Sequence, residues 1–162
     1  MFFNSSLINK VQKVVNLARE QNLKIACAES CTGGLLSALF TEVAGVSRVF
    51  DRGFITYTNL AKTEILGVGK KTLDDFGAVS FEVASEMVLG AVKNSQANLA
   101  VAITGIAGPS GGSNDKPVGL VYIGVCIDGK VMVRRFNFAG DRVEVRKSSI
   151  IAALDMVLNV IS

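Results

Sequence analysis

Short apolar runs set among stretches of helical periodicity constrain this chain more than any other feature. Residues 24–28 (KIACA) and 99–104 (LAVAIT) are apolar throughout most of their length and too brief for core helices, so they read as buried strands. Residues 50–58 (FDRGFITYT) are rich in β-branched and aromatic side chains and read as a third strand, with Gly53 marking a bulge. Leu7, Val11, Val14, Val15 and Ala18 recur at helical spacing over residues 5–21. Leu35, Leu36, Leu39 and Phe40 do the same over residues 32–43, ending near Gly45. Asn59 is expected to cap a short helix closed by Gly67, Ser80 a longer one reaching about Ser95, and Asp141 a last helix to Ile161. Residues 119–127 and 130–138 read as strands joined through Asp128-Gly129, a strong hairpin signal. Helices alternating with buried strands, finished by a hairpin, predict an α/β fold: a three-layer α/β/α sandwich on a mixed sheet. A length of 162 residues suits a single domain.

With 49% hydrophobic residues the chain can bury a core without staples. Charged residues, at 19%, fall below the usual quarter, so apolar surface is expected to be hidden in a homo-oligomer. The net charge of +3 is small and its Lys and Arg residues are scattered, which argues against a nucleic-acid partner. Cys27, Cys31 and Cys126 lack the pairing of a zinc site and read as free or buried thiols in a reducing compartment. The start MFFNSSLINK has no basic region and only a brief apolar patch, unlike a signal peptide. No apolar run approaches the roughly 18 to 20 residues of a membrane span. A cytoplasmic location is therefore expected.

Ligands in such sheets collect where strands end and helices begin, because unpaired N–H groups point there. Four polar segments fall at such ends: residues 29–34, 56–62, 104–117 and 139–142. Their convergence at one edge is the main structural expectation. Within AESCTGG (28–34), Ser30 follows a strand while Thr32, Gly33 and Gly34 open a helix whose free N–H groups could hold a phosphate or an oxyanion. The plainer alternative is that Ser30 or Thr32 only caps that helix. The chain contains no histidine, so neither a Ser-His-Asp triad nor a Cys-His pair can form. A nucleophilic Ser30 must then find its base in a lysine, a tyrosine or a carboxylate. Lys62, beside Tyr57 on the helix after a strand end, is the best candidate, because burial can leave a lysine neutral. A solvated Lys62 and a packing role for Tyr57 are the alternatives. The stretch TGIAGPSGGSNDKPVG (104–119) reads as a ligand lid or a mobile loop, with Thr104 and Gly105 at the strand end. In AGDR, Arg142 is a candidate phosphate clamp.

Taken together, AESCTGG, RGFITYTNLAKTEILGV, FGAVSFEVASEM, AITGIAGPSGGSNDKPVGLVYIG and AGDR resemble, in order and spacing, the carboxy-terminal domain of the competence/damage-inducible CinA proteins. The resemblance runs from about residue 5 to 160 and extends to the nicotinamide mononucleotide deamidases of the PncC type. Several members carry an additional amino-terminal molybdopterin-binding-like domain; this chain looks like the stand-alone form. The resemblance implies an amidohydrolase that converts nicotinamide mononucleotide (NMN) and water to nicotinic acid mononucleotide and ammonia in pyridine nucleotide recycling. No cofactor or metal is implied. Ser30 matches the nucleophile position, and Tyr57 and Lys62 match the pattern Y-x-N-x-x-K proposed to activate it. Thr32, Gly33, Thr104 and Gly105 match positions around the substrate pocket. The rival expectation is a non-catalytic nucleotide-binding module of the same family.

Overall fold

A computed structural model of the chain describes residues 3–162, so the first two residues of the MFF patch lie outside the described residues. Five strands form one sheet in the order β2-β1-β3-β4-β5. Strands β1 (Ile25–Glu29), β2 (Phe50–Ile55) and β3 (Leu99–Gly105) run parallel, while β4 (Leu120–Ile127) and β5 (Lys130–Asn137) are antiparallel. The mixed sheet is the middle layer of an α/β/α sandwich. Helices α1 (Ser5–Glu20), α2 (Leu35–Thr41) and α6 (Arg142–Ile161) cover one face. Helices α3 (Asn59–Leu66), α4 (Lys70–Phe76) and α5 (Phe81–Lys93) lie on the other.

The alternation of residue size along the buried strands sets how closely each layer sits. Ile25, Cys27, Leu99, Val101 and Ile103 point into the larger core against α1, α2 and α6. Their neighbours Ala26, Ala28, Ala100 and Ala102 face α5. A face paved with alanine lets α5 approach the sheet closely, and Gly90 of that helix lets α3 pack tightly against it in turn. A side chain on Gly90 of α5 would place its Cβ 2.0 Å from the Leu66 carbonyl oxygen.

Several boundaries differ from the sequence expectation for identifiable reasons. Thr58, extended and with its side chain accepting from the Ala61 N–H, caps α3; Asn59 is already its first residue. Helix α2 begins at Leu35, not at Thr32, because Gly33 (φ 61°) and Gly34 (φ 96°) adopt left-handed backbone that a right-handed helix cannot continue. The bulge in β2 falls between the Phe50 and Arg52 pairs, so Asp51 is the extra residue. Gly53 is needed for a close approach instead, since its Cβ would meet the Ser37 Oγ at 2.3 Å. Helix α4 was not expected. Only Leu73 of it is buried, which leaves no apolar period to find, and Lys70–Asp74 and Lys71–Asp75 pairs support its exposed face. The hairpin turn does hold Asp128 and Gly129 at positive φ (49° and 78°). A full capping box forms between Asp141 and Glu144.

Candidate active site

Strand order fixes where a site can form. From β1 the chain crosses to β2 on one side, and β3 then lies on the other side of β1, so the carboxyl ends of β1 and β3 flank a switch point. Ser30 and Thr104 stand at those two ends. The four polar segments singled out in the sequence meet here, around a cavity of about 290 Å³. Its wall includes Ser30, Tyr57, Lys62, Thr104, Gly105 and Arg142. A larger cavity of about 570 Å³ lies between α1 and α6, lined by Leu7, Leu35, Arg146 and Ile150 among others, but no nucleophile stands beside a base in it.

Lys62 reaches the cavity because helical side chains lean toward the amino-terminal end of their helix. From the first turn of α3 its Nζ lies 3.0 Å from the Ser30 Oγ, 2.9 Å from the Thr56 carbonyl oxygen and 3.3 Å from that of Tyr57. The residue is only 1% exposed. Burial pulls its pKa from 10.5 down to about 8, against a smaller opposing influence of Cys31. The three oxygens around Nζ can all accept from an ammonium, and the neutral amine has a second arrangement among them. Two N–H bonds point to two carbonyls, which leaves one lone pair to accept the Ser30 hydroxyl proton. No carboxylate pairs with Lys62 among the described residues, so no salt bridge holds it in the charged form. Ser30 itself is pinned through its backbone, its N–H donating to Ile103 (3.0 Å) and its carbonyl accepting from Gly33 (3.0 Å).

Tyr57 meets the site through two groups. Its carbonyl oxygen faces Lys62, while its hydroxyl accepts from the Arg142 guanidinium at 3.0 Å and the residue is 57% exposed. Arg142 also donates to the Gly108 carbonyl at 2.8 Å, so it ties α6, the glycine-rich loop and Tyr57 together across the mouth. The Thr104 hydroxyl donates to the Ala78 carbonyl at 2.8 Å and thus fixes the opposite wall. At Gly105 a Cβ would lie 2.7 Å from the Val121 side chain, so the strand crossing itself requires glycine. The loop after β3 closes on itself: Gly119 donates to Ile106 (2.7 Å) and Ser113 to Lys116 (2.8 Å).

Thr32, Gly33 and Gly34 do not line this cavity. The Gly33 N–H is used by Ser30, the Gly34 N–H by Glu29, and the Thr32 carbonyl accepts from Arg146 at 2.9 Å. The Gly33 and Gly34 N–H groups expected to face a ligand are therefore already taken. Cys31 lines the cavity, yet burial pushes its thiol up to about 11, so it presents no thiolate at neutral pH. Glu29, which its place in AESCTGG marks as a structural or orienting residue, stands immediately before Ser30, ahead of two glycines that turn the backbone back toward it.

Comparison with known proteins agrees with this fold. The chain is 51% identical over 144 residues to a CinA-like protein of Kosmotoga olearia, covering 89% of this chain and 35% of that protein. It thus spans about a third of the length of the curated relatives it matches. The solved structure of a competence/damage inducible protein CihA from Agrobacterium tumefaciens superposes with a TM-score of 0.94 at 44% identity, over 97% of this chain and 96% of that one. A competence-damaged protein (CinA) superfamily protein from Escherichia coli gives 0.93 at 32% identity, over 98% and 93%. With residues 8–161 also matching the family model described as the CinA C-terminal domain, a span that holds Ser30, Lys62 and every wall of their cavity, the chain belongs to the CinA C-terminal domain family.

Proposed function

We propose that the protein is a serine amidase that hydrolyses the carboxamide of NMN to nicotinic acid mononucleotide and ammonia. The observation that carries this reading is the buried Ser30 Oγ–Lys62 Nζ contact of 3.0 Å, with two carbonyls as the amine's further partners among the described residues. Neutral Lys62 takes the Ser30 proton as Oγ attacks the carboxamide carbon. The resulting ammonium gives that proton to the leaving nitrogen, the C–N bond breaks, and ammonia departs from an ester on Ser30. Lys62 then takes a proton from a water molecule as its oxygen attacks the ester carbon, and returns that proton to the Ser30 Oγ as the C–O bond breaks and the acid leaves as its carboxylate.

For the oxyanion, the Cys31 amide directly follows the nucleophile and, among the described residues, has only its own thiol as an acceptor. Arg142 at the mouth suits the substrate phosphate, and its bond to Tyr57 holds the guanidinium in place for it. A pyridinium ring near Lys62 would further favour the neutral amine, since like charges repel. The phosphate-binding module is less well supported, because Glu29 and Ser30 already use the glycine N–H groups it would need.

Purified protein incubated with NMN in chelator-containing buffer is expected to release one ammonia per nicotinic acid mononucleotide formed. Tight NMN binding with no product by mass spectrometry would refute the amidase and favour the module.

A further inference from the structure

We propose that Glu29 is the positioning residue of this site: its carboxylate takes the start of α2 for itself and thereby fixes the turn that presents Ser30. The inference rests on Ser30 being the reacting group. Glu29 ends β1, immediately before Ser30, and is fully buried. One of its oxygens accepts from the Gly34 N–H at 3.2 Å and the Leu36 N–H at 3.0 Å. The other accepts from the Ser37 N–H at 2.8 Å and the Ser37 hydroxyl at 2.7 Å. Gly34, the residue at the cap position, has no side chain to satisfy these donors, so a side chain from the preceding strand does so.

The arrangement extends into β2. Ser37 stands so close to Gly53 that any side chain there would strike its hydroxyl, at 2.3 Å for a Cβ. A strand residue, a helix start and a bare position on the neighbouring strand thus form one lock around the turn of residues 30–34. Ser30 leaves that lock with its N–H on Ile103 and its carbonyl on Gly33, and its Oγ meets Lys62. The helix start is consequently occupied by a protein carboxylate. It is not the place where an oxyanion or a phosphate is held.

These two roles for the helix start have opposite consequences. If its amides were meant for the oxyanion, neutralising Glu29 would free them and turnover would rise. If Glu29 positions Ser30, the same change turns an acceptor into an amide NH₂ facing N–H donors, and the turn loosens. The test uses the full chain with Glu29→Gln and Ser37→Ala, the second removing one of the four bonds where the first variant fails to fold. Measured are kcat and KM for NMN, thermal melting, and the rate at which a small sulfonyl fluoride labels Ser30. Glu29→Gln is expected to lower kcat on the order of 100-fold with KM within about twofold, and to slow labelling in parallel. Ser37→Ala should lower kcat and labelling by about tenfold or less, with the fold retained. A rise in kcat, a loss that merely tracks the folded fraction, or a raised KM at constant kcat would overturn the proposal. Absence of NMN turnover in the unmodified protein would overturn the substrate reading alone, because the labelling rates still decide the role of Glu29.

Discussion

Ser30→Ala is expected to lose at least about 10³-fold of amide turnover while still binding NMN. Among the described residues the hydroxyl is the only side-chain nucleophile paired with a base in the cavity: Cys31 is held as a thiol by burial, and the Thr104 hydroxyl is committed to the Ala78 carbonyl. Removing one oxygen leaves Lys62 its bonds to Thr56 and Tyr57, so the walls should stay in place. Arg142 and its partners on Gly108 and Tyr57 are untouched. The loss should therefore fall on kcat. Calorimetric titration with NMN alongside an ammonia assay separates the two, and binding lost together with turnover would mean that Ser30 holds the ligand instead of attacking it.

Lys62 should show nearly as large an effect, and in a way that identifies its charge state. Lys62→Met keeps the bulk but removes the base, and a loss of about 10²- to 10⁴-fold is expected. Lys62→Arg is the sharper variant. It keeps donors for the Thr56 and Tyr57 carbonyls, but a guanidinium cannot be deprotonated in a protein, so it should be as inactive as the methionine variant. The sign of the pH dependence follows from the same chemistry. Burial favours the neutral amine and brings its pKa down to about 8, so the active form is lost as pH falls below that value. At pH 7 about a tenth of the amines are neutral. Turnover limited by the free enzyme should rise about tenfold per pH unit until near pH 8 and then level off. A flat profile from pH 6 to 9, or an active Lys62→Arg variant, would remove Lys62 as the base.

Much of this site could be read in the sequence because it rests on residue type and local order. Without histidine, a serine at a strand end needs another base, and Lys62 stands on the helix that follows the neighbouring strand. The apolar strands and the caps at Ser80 and Asp141 are local signals, and the structure places them as expected. What could not be read depends on direction. Tyr57 faces Lys62 with its carbonyl and Arg142 with its hydroxyl, and residue type says nothing about which group points where. Glu29 meets donors five to eight residues ahead only because two glycines reverse the chain, a geometry that no helical or strand period records. Helix α4 was hidden for a third reason. It buries a single leucine and is held by exposed charge pairs.

In the proposed mechanism Lys62, neutral and buried, activates Ser30. Covalent labelling by a small sulfonyl fluoride measures that activation without assuming a substrate, with the modified residue located by peptide mass mapping. The account predicts labelling at Ser30, at a rate that climbs with pH to a plateau above about 8 and collapses in Lys62→Met. Labelling elsewhere in the chain, or at Ser30 with the same rate and pH dependence in Lys62→Met, would contradict it.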